Sequence, residues 1–147
     1  MFGGKITTYR KLAEAVVDKL QPYFPAQGPS STASQCLPGG DFTDISELKT
    51  QLQQQYPWLT AELCQRFART YGSYSKKILH GKTQLSELGI RFSDSLWQAE
   101  VDYLVAEEWA ATTDDILWRR TKLGLTTKPA EVTQLAHYLA NHAFLQQ

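Results

Sequence analysis

Apolar residues recur at helical spacing along most of the chain, and the densest such stretch runs from Leu96 to Leu125. Trp97, Val101, Leu104, Val105 and Trp109 fall three or four residues apart, which places them on one helical face. Leu96, Ala99, Tyr103, Ala106 and Ala110 form a second row beside it. A helix apolar over that much of its surface is expected to be buried on more than one side. Ser93 or Asp94 is expected to open it. A second helix follows, which Thr112 or Thr113 can cap and whose positive end Asp114 and Asp115 suit. Arg119, Arg120 and Lys122 gather at its far end, and Gly124 marks the exit.

The same periodicity predicts helices elsewhere. Leu12, Ala13, Val16, Val17 and Leu20 make a stripe that starts behind Gly3-Gly4 and closes at Pro22 and Pro25. Asp44 and Glu47 fit a capping box ahead of Ile45, Leu48 and Leu52. Tyr56-Pro57-Trp58 breaks the pattern. Leu59, Leu63, Phe67 and Ala68 resume it up to Tyr71-Gly72. Tyr74, Ile78 and Leu79 predict one or two further turns, and Thr83 to Gly89 a short helical piece. Ile90 and Phe92 suit a few extended residues. Thr126 or Thr127 can cap a last helix with Pro129 in its first turn, carrying Val132, Leu135, Ala136, Leu139 and Ala143. Between the first two helices, residues 21–43 hold four prolines and three glycines and predict a surface loop or linker, anchored by Phe24, Leu37 and Phe42. No repeat and no run of strands is present. The expectation is an all-α fold of about six helices in an irregular orthogonal bundle.

Composition narrows the function more than the fold. The 147 residues are 42% hydrophobic and 20% charged, ordinary values for a globular protein. No apolar run approaches the ~18–20 residues of a membrane-spanning helix. Two cysteines, Cys36 and Cys64, suit reduced thiols better than a disulfide framework. Fifteen basic and fifteen acidic residues balance, which argues against nucleic acid as a partner. The charge is nevertheless segregated. Between Glu62 and Lys82 there are five Lys or Arg against Glu62 alone, and between Glu87 and Asp115 eight acids against Arg91 alone. Two segments of opposite sign are expected to lie on different faces or to face each other, with complementary packing and solvated surface as their role.

Candidate chemistry is sparse. His137 and His142 are five apart, not the four that sets two ligands on one helix face, and the cysteines lack a CxxC partner, so no metal site is expected. The adjacent acids Glu107-Glu108 and Asp114-Asp115 point to different helix faces and suit solvated or helix-dipole roles. Arg119, Arg120 and Lys122 could bind a phosphate or an acidic partner, but a structural role is preferred. Gly3-Gly4-Lys5-Ile6-Thr7-Thr8 differs in kind. A glycine turn opening a helix leaves backbone N–H groups free before the positive helix end, an arrangement able to hold a phosphate or the electron-rich edge of a flavin.

Two stretches together resemble one family. FGGKITTYRKLAE is similar to the GGK-[LI]-TTYR segment of FAD-dependent glycerol-3-phosphate dehydrogenases, the respiratory kind that passes electrons to quinone. AEVDYLVAEEWAATTDDILWRRTKLGL resembles the signature of their carboxy-terminal helical domain, and LPGGDF and RTYGSYSKKIL fit weaker motifs between the two. The resemblance implies oxidation of sn-glycerol 3-phosphate to dihydroxyacetone phosphate, with hydride passing from the substrate to FAD and electrons onward to quinone. It implies that Gly4, Lys5, Ile6 and Thr7 lie at the flavin pocket, their N–H groups steadying negative charge on the ring. Residues 1–20 would then be the tail of an FAD-binding domain, 21–43 a linker, and 44–147 the carboxy-terminal helical domain. The family's GxGxxG fingerprint is missing, so the chain is expected to be a piece of a longer protein, with the upstream FAD-binding domain as its partner. No catalytic residue is assigned within it, and alone it should bind neither FAD nor substrate and be inactive. The helical domain could be a cap, a homo-oligomer contact or a partner surface. The expected location is the cytoplasm, with peripheral contact at the cytoplasmic membrane. A free-standing helical module, binding protein or nucleic acid through Arg66, Arg69, Lys76 and Lys77, is the rival reading.

Overall fold

In the computed structural model, which describes residues 5–24 and 28–141, the chain is all-α, with six α-helices among the described residues. The chain divides into two compact units, Met1–Leu37 and Pro38–Gln147. Among the described residues no helix is long and apolar enough to cross a membrane.

The first unit is built on α1, Tyr9–Leu20, followed by a 3-10 turn Gln21–Tyr23 that contains Pro22. Pro25, the second expected helix stop, lies outside the described residues, as do Gly3, Gly4, His142 and Ala143. No side chain of α1 is buried. Polar contacts hold this unit instead. Glu14 pairs with Arg10 at 2.7 Å and Lys11 at 3.1 Å, and its carboxylate accepts from the hydroxyls of Ser30 and Thr32.

The second unit holds every buried apolar side chain among the described residues. Helix α2, Ile45–Gln55, starts where expected: the Asp44 carboxylate accepts from the N–H groups of Ser46 and Glu47 at 2.6 and 3.1 Å. Helix α3, Ala61–Tyr71, is capped by Thr60 and ends at Gly72, whose φ of +57° suits glycine. Their apolar stripes meet: Leu48 and Leu52 on α2 and Leu63, Phe67 and Ala68 on α3 are buried. Each fully buried leucine of this kind contributes about 1.5–3 kcal/mol by leaving water. A 3-10 turn, Gly72–Tyr74, leads into α4, Ser75–Leu79, and Leu85–Leu88 forms another such turn.

The central helix is shorter than the periodicity predicts. Helix α5 is Gln98–Glu108. Ser93 opens no helix, because its hydroxyl instead accepts from the N–H groups of Ser95 and Leu96 and caps a tight turn. That turn folds the chain into one isolated bridge between Arg91 and Trp97, which is where the extended residues expected near Ile90 and Phe92 occur. Trp109 does not continue the apolar face: it is the left-handed C-cap of α5, with φ +56° and 89% of its surface exposed. The expectation of burial on several sides holds for the middle of the helix, where Glu100, Val101, Tyr103, Leu104 and Val105 are all buried.

The next helix also differs in type. After two α-helical residues, 113–114, residues Asp115–Arg120 form a π-helix. Thr112 caps it, accepting from the N–H of Asp115 at 3.2 Å, and the Thr121 hydroxyl donates to the Ile116 carbonyl at 2.7 Å, which stabilises the wider turn. Helix α6, Pro129–Asn141, has proline at its first position. Neither Thr126 nor Thr127 caps it with its hydroxyl. Both hydroxyls donate back to the Leu123 carbonyl, and Glu131 accepts from the Lys128 N–H at 2.7 Å. Leu135 and Tyr138 bury α6, and the Tyr138 hydroxyl donates to Asp102 of α5 at 2.6 Å.

Candidate functional site

Lys5 is extended, and Ile6–Thr8 make a single 3-10 turn that runs directly into α1. Thr8 closes that turn, its N–H and its hydroxyl both donating to the Lys5 carbonyl at 2.9 Å. Lys5, Ile6 and Thr7 are exposed, Ile6 to 86%. Gly4, the remaining expected site residue, lies outside the described residues. The described part of the predicted site therefore presents an ammonium group and a turn of backbone at the positive end of a twelve-residue helix. Such an end can accommodate an anion or an electron-rich ring edge. Behind it the Glu14 carboxyl is held down to about 2, first by the Thr32 hydroxyl and then by Lys11.

The segregated charges meet inside the second unit. Glu100, fully buried on α5, accepts from Arg66 of α3 through two parallel bonds of 2.6 Å. The same guanidinium donates to the Ser95 carbonyl at 2.5 Å, and the Tyr71 hydroxyl donates to Glu100 as well. Bidentate geometry and a third donor offset the cost of taking such a group out of water. Burial opposes the charge on Arg66, but Glu100 outweighs it and raises the guanidinium above its ordinary value. Burial and the neighbouring carboxylate push the Tyr71 phenol well above its usual range. At the surface Lys77 pairs with Glu107 at 3.1 Å. Opposite charges thus face each other, and two of the four cations of the rival reading, Arg66 and Lys77, are engaged within the fold.

The adjacent acids and the basic corner are also engaged. Asp115 accepts from the N–H groups of Ala111 and Thr112 and from the Thr112 hydroxyl, and pairs with Arg119 at 2.8 Å. These bonds, led by the Thr112 hydroxyl, bring its carboxyl down to about 2. Arg120 lays its fork on the Glu108 carbonyl at 3.2 and 2.9 Å, and Lys122 donates to the Trp118 carbonyl. His80 and His137 are exposed, Cys36 is exposed, and Cys64 is buried with its thiol donating to the Lys49 carbonyl. Among the described residues no group of three His, Cys, Asp or Glu is placed to hold a metal ion.

Two features escape sequence reasoning. Glu100 was hidden in an apolar row, although the opposite charge of the two segments was a usable sign of its partner. The second is a backbone crossing. The N–H of Ser73 donates to the Gly39 carbonyl at 3.0 Å, and a methyl group on Gly72 would come within 1.9 Å of that oxygen. A methyl on Gly39 would meet the Tyr71 carbonyl at 2.4 Å, and the Ser73 hydroxyl donates to Asp41. This crossing joins LPGGDF to RTYGSYSKKIL, the two weaker motifs of the sequence.

A helical unit locked by a glycine crossing and a buried Arg–Glu–Tyr group is thus what carries the four motifs' middle and end. The model of the C-terminal domain of alpha-glycerophosphate oxidase matches residues 30–142, and the chain belongs to that family. It is 46% identical to a glycerol-3-phosphate dehydrogenase of Pseudomonas aeruginosa over 140 residues, covering 95% of this chain and 27% of that protein. It is 41% identical to the aerobic glycerol-3-phosphate dehydrogenase of Escherichia coli, covering 97% of this chain and 28% of that protein. A D-erythritol 1-phosphate dehydrogenase of Brucella abortus is 40% identical, with 96% and 28% covered. The chain therefore spans little more than a quarter of the length of these relatives.

Proposed function

We propose that the chain is the carboxy-terminal part of an FAD-dependent glycerol-3-phosphate dehydrogenase. The single observation that carries this reading is the family match over residues 30–142, joined to 41–46% identity with two glycerol-3-phosphate dehydrogenases. In this reading the whole protein oxidises sn-glycerol 3-phosphate to dihydroxyacetone phosphate and passes the electrons to quinone. Residues 1–20 form the tail of the FAD-binding domain, 21–43 the linker, and 44–147 the helical domain. Bound FAD would supply the acceptor for the hydride lost by the substrate. Gly4, Lys5, Ile6 and Thr7 would line the flavin pocket, with their N–H groups and the α1 dipole favouring negative charge at the ring edge. The exposure of Lys5, Ile6 and Thr7, with the positive end of α1 behind them, fits such a group. The chain alone supplies too little of a pocket to bind FAD or turn over substrate. The helical unit serves as a cap on the flavin domain, in a cytoplasmic protein with peripheral membrane contact and homo-oligomeric assembly.

The test is a fusion of this chain behind the amino-terminal three quarters of the Pseudomonas aeruginosa relative. A yellow protein that reduces dye only with glycerol 3-phosphate supports the reading. A colourless, inactive fusion sinks it. Lys5→Ala in the active fusion should weaken flavin retention or slow dye reduction, and an unchanged enzyme removes Lys5 from the site.

A further inference from the structure

The end of α4, the turn after it and the middle of α5 line a groove of about 370 Å³ in the second unit. Its chemistry is set by local sequence. His80, at φ −55° and ψ 132°, and Gly81, at φ +72°, have the dihedrals of a type II turn. The Lys82 N–H closes it, donating to the Leu79 carbonyl at 3.1 Å. His80 and Lys82 line the groove from this turn, and Ala99, Asp102 and Ala106 line it from α5 at helical spacing. Two charges in the groove are already matched. Lys77 pairs with Glu107 at 3.1 Å and rests over the Tyr74 ring, 4.0 Å from its centroid. Two others are not. Lys82 is half-buried, yet among the described residues its ammonium group holds no ion pair and no hydrogen bond. Asp102 is half-buried too. Its Oδ1 accepts from the Tyr138 hydroxyl at 2.6 Å, and nothing among the described residues reaches its Oδ2. Each of these charges has lost hydration without gaining a counter-charge, a cost that a bound partner would relieve.

We infer that this groove binds a small phosphate monoester that carries an ammonium group. Charge balance selects a zwitterion. With Lys77 and Glu107 cancelling each other, the Lys82 cation and the Asp102 carboxylate remain. A simple anion would meet Asp102 and a simple cation would meet Lys82, each a like-charge contact. An extended polyanion such as nucleic acid would meet Glu107 as well. The donor set selects the anionic end. Lys82 offers up to three N–H donors and His80 an imidazole two residues away, which suits the several oxygens of a phosphate better than the two of a carboxylate. The free Oδ2 of Asp102 accepts from the ammonium end. Ala99 and Ala106, one turn to either side of Asp102, carry only methyl groups and so leave the groove open. The same chemistry has two sources, a soluble phosphoamine or the headgroup of an ethanolamine lipid.

Phosphoethanolamine is the probe, titrated into the chain alone and followed by amide NMR, so the outcome is independent of the fusion. Saturable shifts at Gly81, Lys82 and Ala106 are expected, with inorganic phosphate and ethanolamine each binding about tenfold more weakly. Lys82→Gln should weaken the probe about tenfold. Asp102→Asn keeps an acceptor for Tyr138 and should erase the preference over inorganic phosphate. Ala106→Leu changes an exposed helical position, so it should leave the Tm unchanged while abolishing the shifts. Vesicles of phosphatidylethanolamine separate the two sources. Sedimentation with them that free phosphoethanolamine competes away assigns the lipid headgroup, and binding of the free probe without sedimentation assigns a soluble ligand. A spectrum unchanged by the probe overturns the site. So does inorganic phosphate binding as tightly as phosphoethanolamine to the unmutated chain, or shifts that survive Ala106→Leu.

Discussion

The two units use the same kind of amphipathic helix to opposite effect. In α2 the apolar stripe disappears into the core, with Leu52 wholly buried. In α1 the equivalent stripe stays in water, with Val17 49% exposed. The unit from Pro38 onward is held by a continuous apolar core and a buried ion pair. The unit up to Leu37 is held by polar bonds converging on Glu14. A twelve-residue helix without a buried face is marginal by itself, because helix formation draws most of its stability from packing. Identical periodicity therefore says which side of a helix seeks cover. It does not say what provides it.

The sharpest way to break this contrast is to attack the buried pair. Glu100→Ala strands Arg66 and should destabilise the second unit by about 3–5 kcal/mol, read as a lower urea midpoint. Combining Glu100→Leu with Arg66→Met should recover most of the loss. A single variant close to wild type would show that the pair is solvated and the core looser than described. Next come matched truncations. Leu52→Ala should cost about 2–5 kcal/mol by leaving a cavity. Val17→Ala should shift the same transition by no more than about 0.5 kcal/mol. Equal effects would mean that α1 is packed after all.

The glycine crossing should rank third. Gly72→Ala puts a methyl group against the Gly39 carbonyl and forces left-handed backbone on alanine, at a cost of about 1–3 kcal/mol. Gly81→Ala, where positive φ meets open space, should cost less.

The smallest effect is a titration that samples both units. Asp115 and Glu14 are each lowered to about 2 from ordinary values of 3.8 and 4.5. A depressed carboxyl stabilises the fold fully above its unfolded pKa, and that contribution is lost as pH falls through the folded value. Both should remain ionised at pH 3 and protonate near 2 in a carbon-detected NMR titration. A Glu14 midpoint at 4.5 would mean that Ser30 and Thr32 do not hold it in solution.

Much of the second unit was legible because its signals are local. Asp44 announces α2, Gly72 ends α3, and Pro129 opens α6 within a few residues of the chain they govern. What stayed hidden depends on competition or distance. Ser93 can cap a helix or a turn, and the choice was settled by the bridge between Arg91 and Trp97. Trp109 has the right spacing for the apolar face of α5, but the helix ends one residue earlier. The wider turn of Asp115–Arg120 rests on the Thr121 hydroxyl reaching Ile116, which α-helical spacing does not anticipate. At the expected site, the sequence marks Gly4 to Thr7 as unusual, and the structure adds the exposure of Lys5, Ile6 and Thr7 at the start of α1. Exposed backbone at a helix start fits many partners, so neither pattern nor packing singles out the flavin edge that these residues are proposed to face.

The Gly39–Gly72 crossing has a consequence in time as well as in space. It clasps a loop that contains all of α2 and α3, yet those helices pack on each other through their own apolar stripes. The hairpin can therefore form before the clasp closes, and the clasp is expected among the last contacts made and the first released. Substitutions there act chiefly on the rate of opening, so Gly72→Ala should steepen the loss of native protein with time while leaving refolding almost as fast as before.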